Sequence, residues 1–175
     1  MLNPNKVKQN TSGHLRLLVY GTLKRGFANH DRYCRGAVDI RPARVVGRLY
    51  DLGSFPALEV PDDTILAHGT ADPAADVATQ ARFEGGPPQH PELLEKAYTR
   101  PGWPLVHGEL MIFDDPNDRL PRLDRLEGFY PGEPGLYRRV LVSVSVFTAM
   151  TPAWAYVTDE RLGRACKRRI QSWPS

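Results

Sequence analysis

Cysteine is scarce in this chain. Its two copies, Cys34 and Cys166, lie far apart and outside any CxxC or Cys/His cluster. That excludes a disulfide framework and a cysteine-based zinc site. The five histidines, His14, His30, His68, His90 and His107, include no pair at metal-ligand spacing, and no GxSxG elbow marks a serine hydrolase. No apolar run approaches the roughly 20 residues needed to cross a bilayer. The stretch MLNPNKVKQNTSGH has no hydrophobic core of a signal peptide. The expected address is therefore cytoplasmic, with no membrane contact. No repeat of solenoid type is present.

The composition is that of an ordinary globular domain, with 175 residues, 41% hydrophobic, 25% charged and a net charge of +3. This length supports one hydrophobic core without covalent staples. Basic residues crowd the C-terminus at Arg161, Arg164, Lys167, Arg168 and Arg169. No aromatic residue interleaves them, so residues 161–175 are expected to form a solvated basic helix or tail and no nucleic-acid partner is expected.

Residues 1–14 are polar and read as a disordered lead-in, followed by one domain over 15–160. LRLLVY (15–20) is short, apolar and followed at once by glycine, which favours a buried strand. Asn29 is placed to cap a short helix through Tyr33 and Cys34. ARVVGRLYDL (43–52) reads as a strand kinked at Gly47, and ALEV (57–60) as a short one. Residues 61–104 hold seven of the sixteen prolines and are expected to be an irregular excursion, with PELLEKAY (91–98) supplying a helical turn or two. LVHGELMIF (105–113) is a strand in which Gly108 marks a bulge or a close backbone approach. NDRLPRLDRLEG (117–128) is a helix capped by Asn117 or Asp118, with Pro121 in its first turn and Gly128 as its stop. LYRRVLVSVSVF (136–147) and PAWAYV (152–157) are strands. Six or so strands with few helices between them predict an α+β fold. Its core is a small, mixed, mainly antiparallel barrel with two or three flanking helices.

Two places can carry chemistry. Glu127 shares a helix face with Leu120 and Leu123, so docking that face strips water from its carboxylate and raises its pKa. A nearby ionised Asp124 pushes the same way. Helix geometry alone leaves open a half-solvated Glu127 paired with an arginine. The second place is the break after Tyr20. A strand that ends at glycine frees backbone amides, and these can form an anion-binding concavity or simply a turn.

VYGTL, GRLYDLGSFPAL, VHGEL, LDRLEGFY and LYRRVLVSV, in that order, resemble the γ-glutamylcyclotransferase-like family, which includes an avirulence-induced branch. The resemblance covers most of residues 16–60 and 105–157. It implies a barrel-like α+β fold with one pocket, in which an α-amino group attacks a γ-glutamyl amide and releases 5-oxoproline and a free amine. Glu127 matches the family's acid/base. Gly21, Thr22 and Leu23 match its substrate loop, with Tyr20 beside them. Tyr137 matches a tyrosine that orients the substrate or the carboxylate, or is a core residue. Tyr156 falls where a second pocket aromatic is found. Arg139 matches a common arginine on the same strand face as Tyr137, where a carboxylate contact is open to it, and is expected to form an exposed cross-strand charge pair. One carboxylate can serve both proton steps, so no metal or cofactor is implied. The implied partner is a small γ-glutamyl compound. Glutathione, γ-glutamyl amino acids, γ-glutamyl-ε-lysine and a γ-glutamyl-protected metabolite all remain open, as does a non-catalytic metabolite-binding module on the same fold. Two departures from the family lie beside the proposed pocket: the long 61–104 excursion and about three extra residues between Glu127 and Tyr137. Glu84-Gly85 imitates Glu127-Gly128 by letters but lacks its surroundings.

Overall fold

A computed structural model describes residues 13–84, 100–165 and 168–174. The expected lead-in up to residue 12 and the 91–98 helix fall outside the described residues. Strands β1 (Leu15–Val19), β2 (Asp39–Val46), β6 (Leu105–Phe113), β7 (Arg138–Val146) and β8 (Ala149–Val157) pair in the order β2-β6-β1-β8-β7, and β2 pairs again with β7. The result is a closed, mixed, five-stranded barrel. Every pairing in the ring is antiparallel except β1 with β8. A second sheet holds β3 (Arg48–Asp51) between β4 (Pro56–Glu59) and β9 (Arg169–Ile170).

Strand alternation divides the apolar residues into two cores. Leu18, Val45, Leu110, Val142, Val144 and Ala155 fill the barrel. Leu15, Leu17, Val19, Leu120, Leu123 and Trp154 form the layer between the barrel wall and the helices. β1 contributes to both, which is why nearly all of LRLLV is buried. Helices α1 (Pro73–Arg82) and α2 (Pro116–Glu127) pack on the outside, and the short α3 (Glu160–Ala165) follows β8.

Several sequence expectations need correction. The strand expected over 43–52 is two strands in different sheets, because Gly47 turns the chain where a Cβ would lie 2.7 Å from the Glu59 carbonyl oxygen. The excursion is partly regular. β5 (Ile65–His68) joins the outer side of β7 and is followed by α1, whose cap Asp72 accepts from the Ala74 and Ala75 amides. Proline density hid this helix, although Asp72-Pro73 is itself a start signal. α2 begins at Pro116 after Asp115, so Pro121 sits in its second turn and neither Asn117 nor Asp118 is the cap. Gly128 does end the helix, in the left-handed region at φ 65°. The basic C-terminus is neither a single helix nor a free tail, since β9 pairs with β3 and the His107 amide donates to the Gln171 carbonyl.

At Gly108 the β2–β6 register runs without a bulge, and a Cβ there would lie 2.5 Å from the Val19 carbonyl oxygen. Backbone cannot yield as a side chain can. Gly108→Ala is therefore expected to cost about 1–3 kcal/mol, read as a lowered urea midpoint; an unchanged midpoint contradicts the close approach.

Candidate active site

β1 ends at Val19, and the next residues turn tightly, with the Lys24 amide donating to the Gly21 carbonyl at 3.0 Å. Gly21 faces Pro56, and a Cβ at this position would meet Pro56 Cγ at 2.8 Å. Glycine is required by close packing, not by a positive φ. The turn is pinned from behind, where Asn29 Nδ2 donates to Thr22 Oγ1 at 2.9 Å and His30 Nδ1 lies 3.0 Å from the Leu23 carbonyl. Asn29 therefore makes no side-chain cap on the five-residue π-helical turn His30–Cys34. That side chain serves the loop instead. Among the described residues, the amides of Gly21, Thr22 and Leu23 donate to no protein acceptor.

Gly21, Thr22 and Leu23 line a cavity of about 440 Å³. The structure brings all seven sequence-selected residues to its wall: Tyr20, Gly21, Thr22, Leu23, Glu127, Tyr137 and Tyr156. Ser54 and Phe55, from the loop between β3 and β4, and Pro56, the first residue of β4, also line it. Sequence reasoning assigned no role to that loop, although GSFP lay within a quoted motif.

Glu127 occupies the last position of α2 and is half-buried. Burial pushes its carboxyl up to about 7. Among the described residues it has neither a hydrogen-bond nor an ion-pair partner, so the arginine pairing that helix geometry left open is not formed. Asp124 does not contribute to this rise. It accepts from Tyr156 Oη at 2.7 Å and lies 3.1 Å from Arg139 Nε, and burial raises its own carboxyl against both of these partners.

Arg139 overturns the expectation of an exposed charge pair. It is 1% exposed, and one terminal nitrogen donates to Asp76 Oδ2 and to the Thr70 carbonyl, both at 2.8 Å. Its guanidinium stands 5.3 Å from the Phe129 and Trp154 ring centres. The contact with Asp124 is one of charge, since Nε has no aligned hydrogen-bond acceptor. Arg139 thus ties α1 to α2 beneath the pocket, and sequence reasoning missed it because Asp76 lies in the stretch read as irregular.

The three pocket tyrosines each point their proton into the protein. Tyr20 Oη donates to the Tyr156 carbonyl at 2.6 Å, Tyr137 Oη to the Pro56 carbonyl at 2.9 Å, and Tyr156 Oη to Asp124. His30 sits behind the loop and does not line the cavity, and His107 is exposed. Glu84 lies just past the end of α1 on the surface, bonded to Arg16 and to Gln80, away from the cavity. Cys34 is a buried free thiol that burial raises to about 12. Among the described residues no group of three or more His, Cys, Asp or Glu could hold a metal ion, and no helix is long and apolar enough to cross a membrane.

A family model described as gamma-glutamyl cyclotransferase, AIG2-like, matches residues 17–93 and 74–174. The chain belongs to this family. No curated protein sequence matches it. Solved structures with related folds include a mouse AIG2-like protein, 20% identical, covering 92% of this chain and 88% of its own, with a TM-score of 0.49. Uncharacterized protein PH0828 from Pyrococcus horikoshii is 17% identical over 90% of this chain and 86% of its own, with a TM-score of 0.46. YkqA from Bacillus subtilis is 18% identical over 90% of this chain, with a TM-score of 0.47, and this chain spans 38% of its length. At these TM-scores the likenesses carry no part of the assignment, which rests on the sequence match of this γ-glutamyl cyclotransferase-like chain.

Proposed function

We propose that this protein is a γ-glutamylcyclotransferase-type enzyme that converts a γ-glutamyl amide into 5-oxoproline and a free amine. The observation that supports this best is the placement of Glu127. An unpartnered carboxyl, raised to about 7 by burial, lines the same cavity as the unpaired amides of Gly21, Thr22 and Leu23.

In the reaction, a bond forms between the substrate's α-amino nitrogen and its γ-carbonyl carbon, and the original amide C–N bond breaks. Once the α-ammonium has lost one proton to become a nucleophile, a proton the released amine regains, the only other change is transfer of one proton from the attacking to the leaving nitrogen. Ionised Glu127 accepts that proton as the ring closes and returns it as the amine departs. A group with a pKa near the working pH suits both directions. The loop amides stabilise negative charge on substrate oxygen, and the fixed walls hold the chain folded for five-membered closure.

The test is 5-oxoproline release from a panel of glutathione, γ-glutamyl amino acids, γ-glutamyl-ε-lysine and γ-glutamyl amines. With the best substrate, kcat/KM is expected to fall tenfold per pH unit below about 7, because protonated Glu127 cannot accept a proton. Ligand-induced melting shifts without any 5-oxoproline across the panel would reject catalysis and leave a metabolite-binding module.

A further inference from the structure

Another cavity, of about 580 Å³, shares no lining residue with the candidate active site. Leu23 lines the first and Lys24 the second, so the loop after β1 contributes to both. β2 and β6 supply the adjoining wall, where Arg44 pairs with His107, and the end of β7 joins it at Ser145, the register partner of Arg44. A cavity of this size accommodates a small organic ligand.

Its wall is cationic. Among the described residues, Lys24, Arg25 and Arg44 line it against a single acidic residue, Glu109. Glu109 is already engaged, because Arg25 donates to it through both its amide and Nε, each at 2.9 Å. Lys24 has no ion-pair partner among the described residues. Its Nζ donates to the Trp173 carbonyl and stands 5.9 Å from the Phe27 ring centre, contacts that fix the ammonium without cancelling its charge. Burial lowers the Lys24 pKa, and Glu109 opposes that fall. Ser145 is 2% exposed and its hydroxyl has no hydrogen-bond partner among the described residues. A buried polar group normally has one.

The same cavity carries an aromatic residue in an unfavourable place. Phe147 lines it from the turn between β7 and β8, 75% exposed and with its backbone at φ 53°. That left-handed backbone is an outlier for a bulky side chain, whereas glycine adopts it freely. Phe27 is satisfied by the Trp173 ring at 5.1 Å. Phe147 makes no ring contact among the described residues, so neither packing nor turn chemistry accounts for a phenylalanine at this position.

We infer that this cavity is a second ligand site, for a phosphate monoester that bears a planar ring. The phosphate is a dianion, which suits a wall whose cations outnumber its one acid by two. Lys24, Arg44 and the Ser145 hydroxyl are donors for its oxygens. The ring lies against Phe147 and gives that exposed face its missing partner, an interaction tolerant of which ring is offered. The site takes no part in the proton chemistry of Glu127, so the inference does not rest on cyclisation.

Binding is measured by calorimetry at pH 8, where the ester is a dianion, to the full-length protein and to Lys24→Met, Ser145→Ala and Phe147→Gly. The probes are phenyl phosphate, adenosine 5′-monophosphate and inorganic phosphate; the first two separate a ring joined directly to phosphate from one carried on a sugar. The better ring-bearing probe is expected to bind at least ~10-fold tighter than inorganic phosphate, the scale of one stacking contact. Lys24→Met should weaken it by ~10-fold and Ser145→Ala by a smaller factor, as expected for a charged and a neutral hydrogen bond. Phe147→Gly should abolish the preference for a ring while leaving the urea midpoint at or above that of wild type, since glycine suits the backbone there. Ring-bearing probes that bind no better than inorganic phosphate overturn the site. So does binding that survives both Lys24→Met and Phe147→Gly, or that is lost in Glu127→Gln instead, which would place the probe in the other cavity. A lowered midpoint in Phe147→Gly with the ring preference intact assigns Phe147 to the turn and also overturns the inference.

Discussion

Glu127→Gln is expected to lower kcat/KM for 5-oxoproline release by about 10²–10⁴-fold, the usual contribution of a positioned proton carrier. Glutamine keeps the shape and the hydrogen-bonding reach of the side chain, so substrate binding through the loop amides should survive. What is lost is the ability to take a proton from the attacking nitrogen. The same substitution has a second effect of opposite sign, on stability. Burial raises the Glu127 carboxyl from 4.5 to about 7, so the folded chain holds this proton more tightly than the unfolded chain does. Its stabilising contribution is complete below pH 4.5 and is lost as the pH rises through about 7. Glutamine never ionises. Relative to wild type, the variant should gain up to about 3 kcal/mol at pH 8.5 and nothing at pH 4, with partial exposure making that figure an upper bound. Urea unfolding at the two pH values measures the difference. An inactive variant that is also destabilised at pH 8.5 would mean that Glu127 supports the fold, and a fully active variant would remove it from the mechanism.

Arg139→Met is expected to destabilise the protein by about 3–5 kcal/mol, because it leaves Asp76 and Asp124 without the cation between them. Asp76 is 1% exposed and retains Thr70 through its amide and hydroxyl. Its charge, however, has no other compensation at this depth. Adding Asp76→Asn removes that charge while keeping an acceptor for Thr70, so the double variant should recover at least about 1 kcal/mol compared with the sum of the single effects. The loss should also reach the pocket, because Asp124 holds Tyr156. A cost below about 1 kcal/mol for Arg139→Met would show that the charges rearrange toward water. That outcome would remove the claim that Arg139 ties α1 to α2.

Both substitutions probe features that differ in how far the sequence discloses them. Glu127 and the Tyr20 to Leu23 loop were legible, because each sits at a local signal. Tyr20 to Leu23 interrupts an apolar strand at a glycine, and Glu127 lies on the apolar stripe of a helix that Gly128 stops, whereas Tyr137 and Tyr156 were singled out only by resemblance to the family. Local signals also gave most strands, since alternation depends on neighbours in the chain. Composition misled between residues 61 and 84, where proline density suggested irregular chain and the Asp72 cap was passed over, so β5 and α1 were lost.

The sequence by itself determined an α+β domain, a glycine-ended strand and a helix-borne carboxylate, because strand alternation, helix periodicity and turn chemistry act over a few residues. Only the tertiary structure decided which partners those groups have. Closure of β2 onto β7 and the docking of α1 beside α2 bring Asp76, Asp124 and Arg139 together from three distant segments. That contact pairs Asp124 with a cation, fixes the Tyr156 proton and leaves Glu127 as the unpartnered carboxyl on the cavity wall. Charge pairing and desolvation depend on distances across the fold, and no spacing along the chain encodes them.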